Sequence, residues 1–494
     1  MLFISSYDFY VLLTEIYILS TSCILLIYGV LLSTSTKRGT PVLDRNVGCL
    51  SVQILLISLW LTTCSSMPYI ISWKNFLSHD FLSFGIKSAI IFSAFLWSLS
   101  VFSYNKSEKV NFYEYWIVCM FAIAAMLLIS SAYDFLVMYL AIEFQSIAFM
   151  CLQALREPLN FYRSRAKIFC LGAFSSALLL LGISLLYGLT GLTNFGDLSK
   201  FFLGITVENS VFLNTAILSI VLIEVALFFK ISAAPFHMWA PDVYEGAPTN
   251  VTSFFGILPK IALITLIFRI FFFCFSEITY LLNFTLILCA FLSMLIGTFG
   301  ALAQSKWKRF IAYSTISHVG FVIAGFSTLE FTGVFGSLFY TLVYALTSII
   351  LFSIVLSFRG ILYPTTYQLR YLKDVASLVK INPVLSASLM LILFSMAGIP
   401  PFPGFFSKAF ILLALLQEKL TGLAIIAIIL SCVSCFYYIR LIQTMYFMNA
   451  KTIIVFQPLE KEKSIALSVS LLFLLLVFFK IDLISNFVHC MLFL

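Results

Sequence analysis

Charged residues are scarce in this 494-residue sequence. Asp, Glu, Lys and Arg make up 10% of the chain, against about 25% in ordinary soluble domains. Apolar residues make up 62%, and apolar stretches of 18 or more residues recur along the whole chain. Each stretch is long enough to cross a hydrocarbon layer about 30 Å thick. The composition therefore excludes a water-soluble globular protein, and the short connections leave no room for a catalytic domain outside the membrane.

Metal-binding and redox motifs are also missing. The four His are dispersed, and the eleven Cys are scattered, mostly in apolar segments. The one C-x-x-C pair, Cys432 and Cys435, lies inside a predicted helix without a second pair, so we expect buried, inert thiols there. The N-terminus carries Asp8 and Glu15 where a signal or transit peptide would be basic. This pattern predicts insertion without a cleaved leader.

Hydropathy predicts an all-α polytopic membrane protein with fourteen spans. The spans lie near residues 9–33, 47–71, 82–104, 112–130, 133–155, 167–190, 210–234, 251–273, 279–303, 309–328, 331–357, 384–417, 421–447 and 464–479. We refer to them as spans 1 to 14. The connections between them are short, and no low-complexity segment separates them.

Positive charges are distributed unevenly among the connections. Connections after odd-numbered spans carry 18 Lys and Arg, and those after even-numbered spans carry three, Lys74, Lys200 and Lys419. Because cytoplasmic loops are enriched in cations, this bias predicts that both termini lie on the non-cytoplasmic or intermembrane side. The same bias accounts for the net charge of +8 without a nucleic-acid partner. The basic cluster Arg156–Arg165 is interpreted as a solvated loop, with a contact to anionic lipid or a neighbouring subunit as the alternative.

Eight cations remain within the spans or at their ends. Five lie near span ends, where they can snorkel to the interface: Lys87, Lys167, Arg269, Arg440 and Lys480. Lys230, Lys260 and Lys408 have no such route, and a lysine at the membrane centre costs about 2.5–3.5 kcal/mol. Each lies near a proline that kinks or opens its helix, and irregular backbone at this depth is tolerated only beside protein or water. These lysines indicate an ion pathway, and the alternative is polar glue between helices.

Acidic and imidazole groups accompany these lysines. Glu143 lies near the centre of span 5 and needs a nearby lysine to stay ionised. At about 4 Å and an effective dielectric constant of about 20, an ion pair with Lys230 is worth about 4 kcal/mol. Moving one charge against 100 mV costs only about 2.3 kcal/mol, so opening and closing this pair could drive transport. Glu224, six residues before Lys230, is a second candidate on another helical face. His318 in span 10 could relay protons, and a satisfied core histidine is the alternative.

Five segments resemble the chain 2 family of NADH–ubiquinone oxidoreductase, antiporter-like membrane subunits of respiratory complex I. They are SAYDFLVMYLAIEFQS, KIFCLGAFSSALLLLGISLLYGLTG, FFKISAAPFHMWAPDVYEGAPTNVTSFFGILPKI, KRFIAYSTISHVGF and AGIPPFPGFFSKAFI. The resemblance spans about residues 10–480, with the segments in the family's order. Mitochondrially encoded plant or algal members look most similar, including the CFYYIRLI block at 435–442.

The resemblance implies an antiporter-like fold with two inverted five-helix repeats, spans 4–8 and 9–13, and with spans 7 and 12 interrupted. The implied division is a three-helix segment at 1–111, the repeats at 112–273 and 279–447, and span 14 within 448–494. It also implies a location in the mitochondrial inner membrane.

The resemblance further assigns proton-path positions to individual residues. They are Glu143, Lys230, Lys260 and Lys408, with His318 matching a polar position of span 10 and Lys167 matching a lysine at the head of span 6. Relatives often carry an acid four residues before that lysine, where this chain has Arg163. Glu224 matches no family position. In the implied mechanism Glu143 and Lys230 form the switching pair, Lys260 is the central relay, and Lys408 is the terminal site.

The expected function is proton translocation driven by quinone reduction elsewhere in complex I. NADH, FMN, iron–sulfur clusters and ubiquinone are expected in other subunits, because this sequence has no dinucleotide fingerprint after a strand and no cysteine set for a cluster. Expected neighbours are the antiporter-like chain 4, the small chain 4L, accessory subunits and lipids such as cardiolipin, with no nucleic acid. Two alternatives remain open: a subunit of a sodium or other cation/proton antiporter, and a structural membrane spacer.

Overall fold

The computed structural model describes residues 6–32, 43–64, 69–108, 112–154, 162–204, 210–362, 365–376, 378–448 and 458–492. Within these ranges, thirteen helices are long and apolar enough to cross a membrane. The remaining span, span 12, is divided between two shorter apolar helices, Pro383–Ala397 and Pro403–Gln417. The predicted all-α fold with fourteen spans is thereby confirmed.

The helices in chain order are α1 (Ser6–Val11), α2 (Leu13–Leu32), α3 (Asp44–Cys64), α4 (Phe81–Ser107), α5 (Glu114–Ser131), α6 (Phe135–Ala154), α7 (Tyr162–Thr190), α8 (Phe195–Leu203), α9 (Ser210–Ile231), α10 (Trp239–Gly246), α11 (Thr249–Phe268), α12 (Thr279–Leu302), α13 (Trp307–Phe326), α14 (Phe331–Ser357), α15 (Leu378–Ile381), α16 (Pro383–Ala397), α17 (Pro403–Gln417), α18 (Thr421–Tyr446), α19 (Lys461–Phe479) and α20 (Asp482–Leu492). Two antiparallel hairpins complete the described fold: β1 (Ile70–Ser72) with β2 (Leu77–His79), and β3 (Arg359–Leu362) with β4 (Thr365–Gln368).

The predicted end of span 2 at residue 71 is wrong. Helix α3 ends at Cys64, and Ile70 already pairs with His79 in the β1–β2 hairpin. The hairpin turn contains consecutive left-handed residues, Lys74 at φ 54° and Asn75 at φ 69°. The apolar strand residues Ile70 and Ile71 follow the span closely, so a hydropathy window merges strand and helix. Periodicity alone does not separate short apolar strands from helix ends.

The two predicted helix breaks are present, at the end of α9 and at the end of α16. Ser232 and Gly398 adopt left-handed backbone conformations, with φ of 63° and 80°. Such a residue ends a helix because its amide, or the next one, turns back onto a carbonyl of the last turn. At the first break the Ala233 N–H donates to Phe228 O at 2.9 Å, and at the second the Gly398 N–H donates to Phe394 O at 3.1 Å.

The expected opening of span 8 beside Lys260 is wrong. Helix α11 continues through Pro259 from Thr249 to Phe268, and a π-helical turn at Arg269–Cys274 follows it. Every residue of α11 is buried, so neighbouring helices surround it on all sides. A proline removes one backbone donor and kinks a helix, but the flanking turns persist where surrounding protein supports them.

Helices α11, α13 and α14 form the centre of the molecule and are almost completely buried, whereas α2 and α7 expose most of their surface. Close packing of α12 against α13 depends on two glycines. A Cβ on Gly297 would lie 2.4 Å from the Ser317 amide nitrogen, and one on Gly320 would lie 2.4 Å from Ser293 Oγ. In a membrane, an apolar helix face is about as stable against lipid as against another helix. Helix association therefore depends on close packing, which small residues allow. The central helices carry Lys260 and His318.

Candidate functional site

Lys230 lies in the last turn of α9, directly before the first break. The break frees carbonyl groups, and one of them, Phe229 O, accepts a hydrogen bond from the Trp239 indole nitrogen at 2.9 Å. Lys230 lines a cavity of about 90 Å³, open on one side, between α6, α7, α9 and α11. Apolar side chains make most of its wall, and Gln145 and Ser146 of α6 are polar groups in it. The first lysine thus borders space rather than dry packing.

Glu143 on α6 lies close enough for its charge to act on Lys230. Its Oε2 accepts from the Ser146 hydroxyl at 3.2 Å. Its Oε1 is buried without a hydrogen-bond partner among the described residues. No ion pair within 4.0 Å joins Glu143 to Lys230 in this part of the chain. In this structure Glu143 and Lys230 therefore do not form a closed ion pair.

Lys408 lies in the first turns of α17 and reaches back to the second break. Its ammonium donates to Ala397 O, the last carbonyl of α16, at 2.7 Å. The side chain is 6% exposed, and its Nζ lies 5.5 Å from the centre of the Phe321 ring. A cation at a helix C-terminus is favoured by the helix dipole. The break and the cation therefore stabilise each other.

Lys260, His318 and Lys408 lie along one buried line. The Lys260 Nζ lies 5.4 Å from the centre of the Tyr344 ring, and the His318 ring centre lies 5.3 Å from the same ring. A small cavity of about 10 Å³ then brings together His318, Tyr340, Tyr344 and Lys408. Lys260 is 5% exposed, and its Nζ has no hydrogen-bond partner among the described residues.

His318 has partners for both ring nitrogens. Nδ1 lies 2.6 Å from the Tyr340 hydroxyl, and Nε2 lies 3.2 Å from the Tyr438 hydroxyl. A neutral imidazole can donate through one nitrogen and accept through the other, and tyrosine hydroxyls can do both. His318 is therefore a satisfied core histidine, and it also contacts the Tyr344 ring and lines the cavity that Lys408 enters.

The relay is not continuous in the described residues. Pro259 and Leu263 of α11 face the Lys230 cavity, whereas the neighbouring Lys260 meets Tyr344 of α14. No hydrogen bond within the described ranges connects Lys230 to Lys260. Helix α11 thus separates a first half, with Glu143 and Lys230, from a second half around His318.

Comparison with known proteins decides the family. A family described as NADH:quinone oxidoreductase/Mrp antiporter, transmembrane, matches residues 132–434, which include both helix breaks. NADH-ubiquinone oxidoreductase chain 2 of Marchantia polymorpha is 39% identical over 472 residues, 95% of each chain. The Arabidopsis thaliana protein of the same description is 36% identical over 94% of this chain and 92% of its own. The chain belongs to the NADH–ubiquinone oxidoreductase chain 2 family.

A solved structure of respiratory complex I from Thermus thermophilus contains a chain with the same fold. Its TM-score is 0.78 at 24% identity, covering 96% of this chain and 98% of that one. Membership in the chain 2 family makes this protein an antiporter-like, multi-pass membrane subunit of respiratory complex I, the NADH:ubiquinone oxidoreductase. The redox chemistry of that enzyme belongs to other subunits.

Lys167, which the chain 2 resemblance singled out, lies outside the buried line. It forms an ion pair with Asp242 of α10, and Arg309 of α13 reaches the same carboxylate at 3.3 Å. Arg309 and Lys306 both pair with Glu245. These side chains are about a quarter to two fifths exposed, so each single pair contributes little to stability. Together they attach α10, the helix after the first break, to α7 and α13.

The acid that balances Lys167 is thus supplied by α10. The resemblance to the chain 2 family had raised the question of this acid at Arg163, because relatives often carry an acid at that position. The Arg163 side chain and the predicted cluster around Arg156 lie outside the described residues. The DVYEG segment after the break could have pointed to Asp242, because its two acids have no cation within a helical turn.

The snorkelling predicted for Lys87 and Arg269 is wrong. Lys87 on α4 is 2% exposed and pairs with Glu15 on α2, with Nζ 2.6 Å from Oε1. Arg269 is 5% exposed and pairs with Asp80 at 2.9 Å. Snorkelling needs a path to the headgroups, but α3, α5, α11, α14, α19 and α20 pack around α4.

Two of the 18 cations counted in the connections after odd-numbered spans are also buried. Arg359 is 2% exposed and donates to Glu108 at 3.0 Å, and Lys463 is 4% exposed and donates to Leu356 O at 3.1 Å.

The predicted burial of Cys432 is wrong, because this thiol lies on an exposed face of α18. Among the described residues no group of three or more His, Cys, Asp or Glu side chains is arranged to hold a metal ion.

Proposed function

We propose that this chain transfers protons across the mitochondrial inner membrane and that quinone reduction elsewhere in complex I drives the transfer. The observation that carries the proposal is the buried line from Lys260 through Tyr344 and His318 to Lys408. Ionisable groups inside a membrane protein are costly and mark ion or proton paths by default. Here the groups share a cavity or an aromatic partner instead of reaching the lipid interface.

Each group has a proposed role. Glu143 and Lys230 form a switch: when the pair closes, the carboxylate stabilises the charged lysine by about 4 kcal/mol, and when it opens, the lysine can release its proton. Lys260 then receives a proton and Lys408 delivers it, with His318 between them. The open geometry of Glu143 and Lys230 supports a switch with two states, because a purely structural pair gains only by being closed.

The cationic side chains along the buried line favour protons over sodium as the transported ion. Sodium requires several oxygen ligands without a competing cation. The second cavity is lined by five hydroxyl-bearing residues, Tyr340, Tyr344, Thr347, Ser395 and Ser407, but also by the His318 imidazole and the Lys408 ammonium. A second ammonium, Lys260, adjoins Tyr344. Two cations repel a metal cation at this distance, and both can carry a proton themselves.

The position in the assembly follows from the same proposal. We place the antiporter-like chain 4, the small chain 4L, accessory subunits and cardiolipin-type lipids against the exposed apolar faces of α2, α7 and α18. Both termini are placed on the intermembrane side, which the cation bias and the even number of spans support. The two inverted repeats, at 112–273 and 279–447, are supported by one helix break in each.

Replacement of Lys230 by Ala tests the switch in the assembled complex. We expect NADH-driven proton pumping per electron to fall, because Glu143 loses its partner and the first half loses its proton carrier. Replacement of Glu143 by Ala should have the same effect. The measurement is the number of protons moved per NADH oxidised in proteoliposomes. Unchanged pumping in an assembled complex would defeat the mechanism.

The spacer alternative predicts instead that Lys408→Ala impairs assembly without changing turnover per assembled complex.

Filling the Lys230 cavity tests whether it must hold water. Gly172 lines this cavity, and a Cβ there would meet no atom within 4 Å. Gly172→Leu should therefore fold normally but exclude water from Lys230, and we expect proton transfer to slow several-fold. Gly188→Leu is the matched control, because Gly188 lies on the same helix with equally open space and away from the cavity. Equal pumping by the two variants would show that the cavity plays no part.

A further inference from the structure

Glu224 is a buried carboxyl group that the lysine line does not use. It lies on α9, is 1% exposed, and faces α12, where its Oε2 lies 2.8 Å from the hydroxyl oxygen of Thr285. Its Oε1 is buried without a hydrogen-bond partner among the described residues. Lys230 lies six residues further along α9, and six residues turn a helix through about 600°, so the two side chains leave α9 in different directions.

Thr285 is the polar partner of Glu224 across the α9–α12 boundary. Its hydroxyl donates to Glu224 Oε2 at 2.8 Å, and the same oxygen lies 2.7 Å from Leu282 O, the carbonyl one turn earlier in α12. A threonine hydroxyl has one proton to donate, so the two acceptors share it. One shared hydrogen bond does not compensate a buried negative charge.

The surroundings of Glu224 agree with a neutral acid. Burial and Thr285 are the influences acting on it, and no Lys, Arg or His within the described residues pairs with it. An ionised carboxylate in such a place costs several kcal/mol, so the group binds a proton instead. Glu15 provides the contrast within the same chain. It is equally buried and accepts from Thr14 at 2.7 Å, but Lys87 lies 2.6 Å from it.

We propose that Glu224 is a proton-binding site at the α9–α12 boundary, outside the lysine line, and a site of modification by hydrophobic carbodiimides. A carboxylic acid transfers its proton to one carbodiimide nitrogen, and its oxygen adds to the central carbon to form an O-acylisourea. Migration of the acyl group to nitrogen gives an N-acylurea. No atom leaves, so the residue gains the full mass of the reagent. Phe284 and Leu288 of α12 are exposed beside Thr285, which gives a lipid-soluble reagent an approach from the membrane.

The test uses the assembled complex in its native membrane, treated with dicyclohexylcarbodiimide and analysed by peptide mass spectrometry. We expect an adduct on Glu224 at a yield at least about tenfold above that on Glu15, because an ion pair with Lys87 removes the proton that starts the reaction. Glu224→Gln should lose the adduct. Equal labelling of Glu15 and Glu224, or labelling of Glu15 alone, would overturn the proposal.

A second measurement is independent of reagent access. The difference infrared spectrum between wild type and Glu224→Gln should contain the carbonyl band of a protonated carboxyl group. A carboxylate band in its place would overturn the assignment even if the reagent failed to reach the site. Pumping per electron in Glu224→Gln should equal that of wild type, because the residue lies outside the line. A fall in that ratio would place Glu224 within the proton path and contradict its separation from the lysines.

Discussion

Lys260→Arg should assemble into complex I and fail to transfer protons through this subunit. Arginine keeps the positive charge that Tyr344 contacts, but it cannot be deprotonated in proteins. The reference pKa values of Lys and Arg differ by at least about two units, so a neutral arginine is at least about a hundredfold rarer than a neutral lysine in the same place. A relay residue must be neutral at one stage of each cycle. We therefore expect the proton flux that depends on Lys260 to fall about a hundredfold.

Lys260→Met separates charge from proton transfer. If the lysine only anchors α11 against α14 by its charge, methionine should impair assembly and arginine should restore both assembly and pumping. If the lysine carries protons, arginine should restore assembly and not pumping. Native gel electrophoresis gives the amount of assembled complex, and proton uptake per NADH oxidised gives the transfer.

The matched control is Lys200→Arg. Lys200 is an exposed lysine on α8, and the same substitution there changes no buried group. We expect it to leave assembly and pumping as in wild type. Normal pumping in Lys260→Arg, with the complex fully assembled, would remove Lys260 from the proton path and leave it a structural cation.

The fold was largely predictable because the membrane restricts it. Hydropathy located all fourteen spans, since each segment that crosses lipid must be long and apolar. It could not separate the β1 strand at Ile70 from the end of span 2, because a strand residue and a helix residue contribute equally to a hydropathy window. The proline beside Lys260 predicted a kinked or opened helix, and α11 continues through Pro259. Whether a proline opens a helix depends on the helices around it, which no local pattern contains.

The sequence identifies those site residues whose burial in a membrane costs free energy whatever surrounds them. Lys230, Lys260 and Lys408 stood out because lipid offers a lysine no partner. The partners were harder to find. Tyr344 joins Lys260 to His318, yet among the 23 tyrosines of the sequence nothing marks it. In the sequence Glu15 is only part of an acidic N-terminal pattern, and the fold makes it the partner of Lys87. Which side chains pair across distant segments depends on how the helices pack, and a local sequence pattern does not contain that information.

Lys87→Met should prevent stable assembly of this subunit. The substitution leaves Glu15 buried, 1% exposed, with only the Thr14 hydroxyl beside it. Removing one partner of a buried ion pair costs about 3–5 kcal/mol, because the other charge stays without compensation. Protein stability is about 5–15 kcal/mol, so this loss is a large part of it. We expect the amount of assembled complex to fall and the thermal transition of the remainder to shift downward.

Replacing both partners should reverse the loss. In Glu15→Leu with Lys87→Met, no charge is buried, and well-packed apolar side chains in place of a buried ion pair are often neutral or stabilising. The double variant should assemble to near the wild-type level and pump the same number of protons per electron, because the pair lies apart from the lysine line. Assembly is measured on native gels and pumping in proteoliposomes. A double variant that assembles but pumps less would show that this second Glu–Lys pair takes part in transport, and would extend the proton path into α2 and α4.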